Sequence, residues 1–108
     1  MPLKILPDKI LCLIFSKDRP LQLDATLRSL YDCCVDIESL DIHILYKSYD
    51  LEIVDSYKDL KSHFKNCLFI QEYFFQNQVH ALLIKYKWIL FLVDDNIFFK
   101  KVLYCSNY

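Results

Sequence analysis

The sequence predicts a three-layer α/β domain with a mostly parallel four-stranded sheet, and three observations carry that prediction. Near-continuous apolar runs recur four times, at Ile10–Phe15, Ile42–Tyr46, Cys67–Ile70 and Trp88–Val93. Apolar positions with so little alternation suit strands buried on both faces of a parallel sheet. Segments of helical periodicity separate the runs, so strand and helix alternate along the chain. A chain of 108 residues, 55% of them hydrophobic and 16% aromatic, is also a single domain with material for a core. A folded chain of that size buries roughly two-thirds of its surface.

The first strand, Ile10–Phe15, leads through a short polar stretch to Pro20. Proline fits the first turn of a helix, where its missing N–H costs nothing. That helix carries Leu23, Leu27, Leu30, Tyr31 and Cys34 on one stripe, with Asp24 and Arg28 paired four apart. A second strand, Ile42–Tyr46, precedes a helix striped by Ile53, Val54, Tyr57, Leu60 and Phe64. The third strand, Cys67–Ile70, precedes a helix striped by Phe75, Val79, Leu82, Leu83 and Tyr86. The fourth strand is Trp88–Val93. Right-handed crossovers through the helices make such strands parallel, giving half of a doubly wound sheet with helices on both faces. Ligands of these sheets bind beyond the C-terminal strand ends, where the strand order reverses. In the order 3-2-1-4 that point lies between the first and fourth strands.

Composition removes several function classes. Glycine is absent, which excludes a G-x-G-x-x-G turn and a P-loop, both of which need glycine for close backbone approach to phosphate. Net charge is −1 and there are two arginines, so no basic patch marks a nucleic-acid partner. The five cysteines show no C-x-x-C pair and read as buried thiols of a reducing compartment. The three histidines lack ligand spacing. Pro7, Asp8 and Lys9 interrupt the apolar N-terminus, so it does not read as a signal peptide. No run approaches the ~20 apolar residues of a membrane span. A soluble, cytoplasmic chain is expected.

The two most polar strand tails are "FSKDRP" (Phe15–Pro20) and "VDDN" (Val93–Asn96), and the order 3-2-1-4 makes them the two walls of one crevice. Asp94, Asp95 and Asn96 offer only oxygen, which favours a hard cation such as Mg²⁺ or Mn²⁺ held jointly with substrate phosphates. Lys17 and Arg19 are candidate anion partners, aided by the N-terminus of the helix that Pro20 opens. A nucleoside diphosphate bridging cation and basic loop satisfies both walls, with Asp18 available to a base or ribose. Taken singly, D-D-N also suits an ordinary hydrated loop, and S-K-D-R-P a helix cap with a solvated charge pair.

The segment "LCLIFSKDRPLQLDATLRSL" (Leu11–Leu30) resembles the opening strand and helix of family 2-like inverting glycosyltransferases. These have the nucleotide-diphospho-sugar transferase, or GT-A, fold. "WILFLVDDNIFF" (Trp88–Phe99) is similar to the strand that carries their D-x-D-type motif, at about the expected distance. The resemblance runs from Ile10 to about Phe99 and implies a Rossmann-like, donor-binding half of that fold. It implies that Ser16, Lys17, Asp18 and Arg19 form the first nucleotide-contacting loop. Asp94 would meet the ribose or metal, and Asp95 and Asn96 would complete a diphosphate–metal site for Mn²⁺ or Mg²⁺. Relatives often place a base-reading acidic residue after the second strand. Here that stretch is "YKSYD" (Tyr46–Asp50), which offers Ser48 or Asp50.

Two departures qualify what the resemblance implies. Asn96 stands where many relatives have an acidic residue, and only 14 residues follow Asp94. The family places acceptor binding and the catalytic base in a second half of comparable size. No catalytic residue is therefore identified, and glycosyl transfer would need a completing half. Apolar area left exposed for that half would also favour self-association. The alternative is a non-catalytic α/β remnant or interaction domain without a cofactor. A receiver-domain reading of "ILFLVDDN" fails, because the phosphoacceptor aspartate of such domains lies two strands after the acidic pair.

Overall fold

A computed structural model describes residues 6–101 and gives the expected architecture. Strand β1 (Leu6–Lys17) is followed by helix α1 (Pro20–Cys33), a 3₁₀ turn at Ile37–Ser39 and strand β2 (Leu40–Lys47). Helix α2 (Leu51–His63), strand β3 (Leu68–Gln71), helix α3 (Phe75–Leu83) and strand β4 (Tyr86–Val93) complete it. The sheet order is β3-β2-β1-β4, with every pairing parallel. This is the α/β order 3-2-1-4, consistent with a Rossmann-like half. Among the described residues, no helix is long and apolar enough to cross a membrane.

Two apolar layers enclose the sheet, and strand alternation assigns residues to them. Cys12 and Ile14 of β1, with Ile42, Ile44 and Tyr46 of β2, face α1 and α2 through Leu23, Leu27, Leu30, Tyr57 and Leu60. Leu11 and Leu13 of β1 and Leu45 of β2 face the other way, against Leu82 of α3. β1 is central, and Leu11 to Ile14 are fully buried. Burial of one such side chain contributes about 1.5–3 kcal/mol.

The second layer is thin, and here the sequence expectation needs correction. β4 is not buried on both faces. Trp88, Phe91 and Val93 are 56%, 53% and 46% exposed. Phe91 and Val93 lie on the face where the nine-residue α3 packs over β1 and β2, and Trp88 lies on the opposite face with Leu90 and Leu92, at the start of the strand. Tyr86, expected on the third helix, instead opens β4. The helix stops at Leu83, Ile84 caps it through the His80 carbonyl, and the Tyr86 hydroxyl donates to Asp41 Oδ2 at 2.7 Å. Cys67 lies one residue ahead of β3, its N–H donating to the Phe64 carbonyl.

The cysteines Cys12, Cys34 and Cys67 are buried thiols, and Cys33 is half-buried. Cys105 lies outside the described residues. Burial pushes the Cys12 thiol up to about 12 and Cys34 up to about 11, the latter helped by its hydrogen bond to Asp36. Thiols held protonated in this way are inert core residues.

Candidate functional site

β1 and β4 run side by side, Ile14 opposite Leu92 and Phe15 opposite Val93, so their polar tails emerge together. A cleft of about 600 Å³ opens there, lined by Ser16, Lys17 and Arg19 from the first tail and Asp94 from the second. Lys47 and Glu72, from the ends of β2 and β3, close the far wall, while Phe15 and Phe75 form part of an apolar floor. The rings of Phe15 and Phe75 lie 5.5 Å apart, and Phe15 stacks on Phe91 at 6.2 Å.

Asp94 is the buried anchor of this cleft, 7% exposed. Its Oδ2 accepts from Ser16 Oγ at 2.9 Å, and its carbonyl accepts from Thr26 Oγ1 of α1 at 2.7 Å. Ser16 Oγ also meets Tyr57 Oη at 2.6 Å. Serine has one hydroxyl proton and Asp94 takes it, so Tyr57 is the donor in that contact. Tyr57 Oη in turn accepts the Arg19 N–H at 3.0 Å. A relay therefore runs from the Arg19 amide through Tyr57 and Ser16 to Asp94, every bond pointing toward the carboxylate. Aligned chains of this kind polarise one another and stiffen a site. Burial raises the Tyr57 pKa, opposed by the hydrogen bond from the Arg19 N–H, while the charges of Asp94 and Asp18 push it further up.

The basic side of the cleft is built on a left-handed residue. Asp18 has φ +57°, a conformation usually left to glycine, and its N–H donates to the Lys47 carbonyl at 3.1 Å. In a chain without glycine, aspartate is among the few residues that adopt this backbone at modest cost. The kink exposes Lys17 and Arg19 and starts α1 at Pro20. Lys47 bridges to Glu72 at 3.2 Å and sits 5.3 Å from the Tyr49 ring centre. Interactions with Tyr49 and Glu72 raise its pKa.

Of the residues singled out in the sequence, Ser16, Lys17, Arg19 and Asp94 meet at the cleft, and Asp18 shapes its rim. Asp95 is exposed just beyond it. Asn96 folds back instead, its Oδ1 accepting the Val93 N–H at 2.8 Å and its own N–H reaching the Val93 carbonyl at 3.3 Å. Its amide oxygen is engaged in the turn, as the departure from an acidic residue foreshadowed. Ser48 and Asp50 do not line the cleft. Ser48 Oγ holds the Asp50 backbone, and Asp50 caps α2 by accepting the Glu52 N–H at 2.9 Å. Tyr57, Thr26, Lys47 and Glu72 escaped the sequence reading. Tyr57 and Thr26 were legible only as polar atoms on otherwise apolar helix stripes.

Metal chemistry must be judged on this donor set. Among the described residues, no group of three or more His, Cys, Asp or Glu stands together to hold an ion. Asp94 and exposed Asp95 are what the tail of β4 offers. That set fits Mg²⁺ or Mn²⁺ brought in on a diphosphate, which needs one or two protein carboxylates, rather than a cation caged by protein alone. No protein-family model matches the chain, and no curated protein or solved structure is significantly similar to it.

Proposed function

We propose that this chain binds the nucleoside-diphosphate part of a sugar nucleotide, as the donor-binding half of a glycosyltransferase-like protein. The observation that carries the reading is the buried Asp94, held by the Ser16–Tyr57 relay at the switch point of the sheet and faced by Lys17 and Arg19. An inward carboxylate opposite exposed cations at the C-terminal strand ends is the arrangement a metal-bridged diphosphate satisfies. Lys17, Arg19 and the first turn of α1 would take the phosphate oxygens. Asp94, with Asp95, would hold Mg²⁺ or Mn²⁺, and Asp18 would meet the ribose or base. The cation, when bound, neutralises diphosphate charge. Ser16 and Tyr57 fix the carboxylate that meets it. Glycosyl transfer itself is assigned to no residue of this chain.

Calorimetric titration of UDP and GDP, with and without Mn²⁺, tests the reading. Binding of one nucleotide should require the metal and weaken at least tenfold in Asp95→Ala and Asp94→Asn. A folded chain that binds neither nucleotide under any condition would instead be a non-catalytic α/β domain whose Asp94 is a structural anchor.

A further inference from the structure

β4 ends the sheet. One edge pairs with β1, and among the described residues no strand pairs with the other. Natural sheets protect such edges with charges, proline or bulges directed against further pairing. From Trp88 to Val93 this edge has none of these, and Trp88, Phe91 and Val93 are about half exposed. The described residues beyond β4 are tied elsewhere. The Phe98 N–H donates to Ser29 Oγ and Lys101 Nζ to the Asp32 carbonyl, so that segment is bound to α1. Val93 is closed by Asn96, and the row of edge backbone groups before it, flanked by apolar side chains and met by no described strand, fits another β-strand.

The charges at its ends indicate which strand. Lys85 and Lys87 stand at the start of β4 and Asp95 just after its end, all exposed, around six uncharged residues and the buried Asp94. A parallel partner of the same sequence sets like charges together. An antiparallel copy sets lysines over aspartate at both ends. We infer that β4 pairs antiparallel with β4 of a second copy, about a two-fold axis normal to the sheet, to form a closed dimer with an eight-stranded sheet (four strands from each copy). Such an axis keeps side chains on their own face, so it must centre on a residue. Centred on Leu90 it sets Ile89 opposite Phe91 and brings Lys85, in the turn before the strand, toward Asp95, in the turn after the strand of the other copy. Centred on Phe91 it sets Lys87 opposite Asp95 and the two Phe91 rings together. Both registers bring a strand of the second copy alongside the half-exposed Trp88 on one face of the sheet and Phe91 on the other. The opposite edge, β3, has only four residues and offers no comparable pairing.

Sedimentation equilibrium over a wide concentration range, without nucleotide or metal, tests this independently of the donor reading. The wild-type chain should reach the mass of two chains and stop there. Asp95→Lys should weaken the dimer at least tenfold, as should the double change Lys85→Glu with Lys87→Glu. Combining all three changes should restore it. A wild-type monomer at every concentration, an open-ended series of larger species, a dimer indifferent to both charge changes, or failure of the combined variant to recover would each overturn the inference.

Discussion

At the scale of single residues, the site depends on hydroxyl protons with only one productive direction. Ser16 gives its one hydroxyl proton to Asp94, so Tyr57 must donate to Ser16, and Tyr57 does so while accepting from the Arg19 N–H. Tyr57→Phe leaves the fully buried ring packing against Tyr46, 4.6 Å between centroids, but removes the oxygen from the middle of the relay. The Arg19 N–H loses its acceptor and Ser16 Oγ its donor. The expected cost is about 1–3 kcal/mol, the range for leaving buried partners unsatisfied, measured as a shift in urea midpoint at unchanged slope. A change below a few tenths would mean that the relay adds nothing to the ring. His43 offers a second test. It lies on the α3 face beside Tyr86, and its buried Nδ1 has no hydrogen-bond partner. Burial lowers its pKa, with Lys85 acting in the same direction and Asp41 opposing. The unfolded chain then binds the proton more readily, so stability is full above the ordinary value of 6.5 and falls as pH drops below it. It levels off once pH passes below the folded-state value. His43→Phe should remove this component, seen as a flatter dependence of the urea midpoint between pH 7 and pH 5. An unchanged slope would assign the acid sensitivity elsewhere.

At the scale of elements, the sequence was informative wherever periodicity and local chemistry agreed. Pro20 opens α1, the Asp24–Arg28 pair forms at 2.8 Å, and the stripe of Leu23, Leu27 and Leu30 is fully buried. The two polar tails meet because the order β3-β2-β1-β4 sets β4 beside β1 with both running the same way. Side-chain role was harder to read than position. Asp50 looked like a base-reading acid from its place after β2, yet it is the N-cap of α2, a role worth about 1 kcal/mol. Asn96 looked like a cation ligand from its place beside two aspartates, yet its turn consumes the amide oxygen. In both cases a short-range backbone donor competed for the side chain, and spacing along the chain does not reveal that competition. Tyr57 shows the converse. Its ring belongs to the core stripe the sequence revealed, and its hydroxyl becomes part of the site only because α2 lies beneath the tail of β1.

At the scale of the whole molecule, the two faces of the sheet are unequal, and this is the property least visible in the sequence. A run such as Trp88–Val93 records apolar side chains but not what covers them, so a buried central strand and an exposed edge read alike. Two helices close the α1–α2 face, whereas α3 buries only Leu82 among its nine residues. Its N-cap residue Phe74 offers no capping side chain, the exposed end being held by Gln78, whose Oε1 accepts the Tyr73 and Phe74 N–H groups, and Phe74 and Phe75 are 72% and 46% exposed. Local opening free energies follow buried apolar contact, so the molecule should loosen in a definite order. Under native conditions, hydrogen exchange should be fastest in α3, intermediate in α2 and slowest at the central amides of β1, where Leu11–Ile14 are buried between two paired strands. The α3 amides should exchange with little denaturant dependence, the mark of small local openings, and those of β1 only through global unfolding. Added wild-type chain at high concentration should slow the β4 amides selectively if the edge pairs with a second copy, and leave α3 unchanged. If α3 proved as protected as β1, the thin layer would be held by more than its packing on Leu11, Leu13 and Leu45, and the order of opening argued here would be wrong.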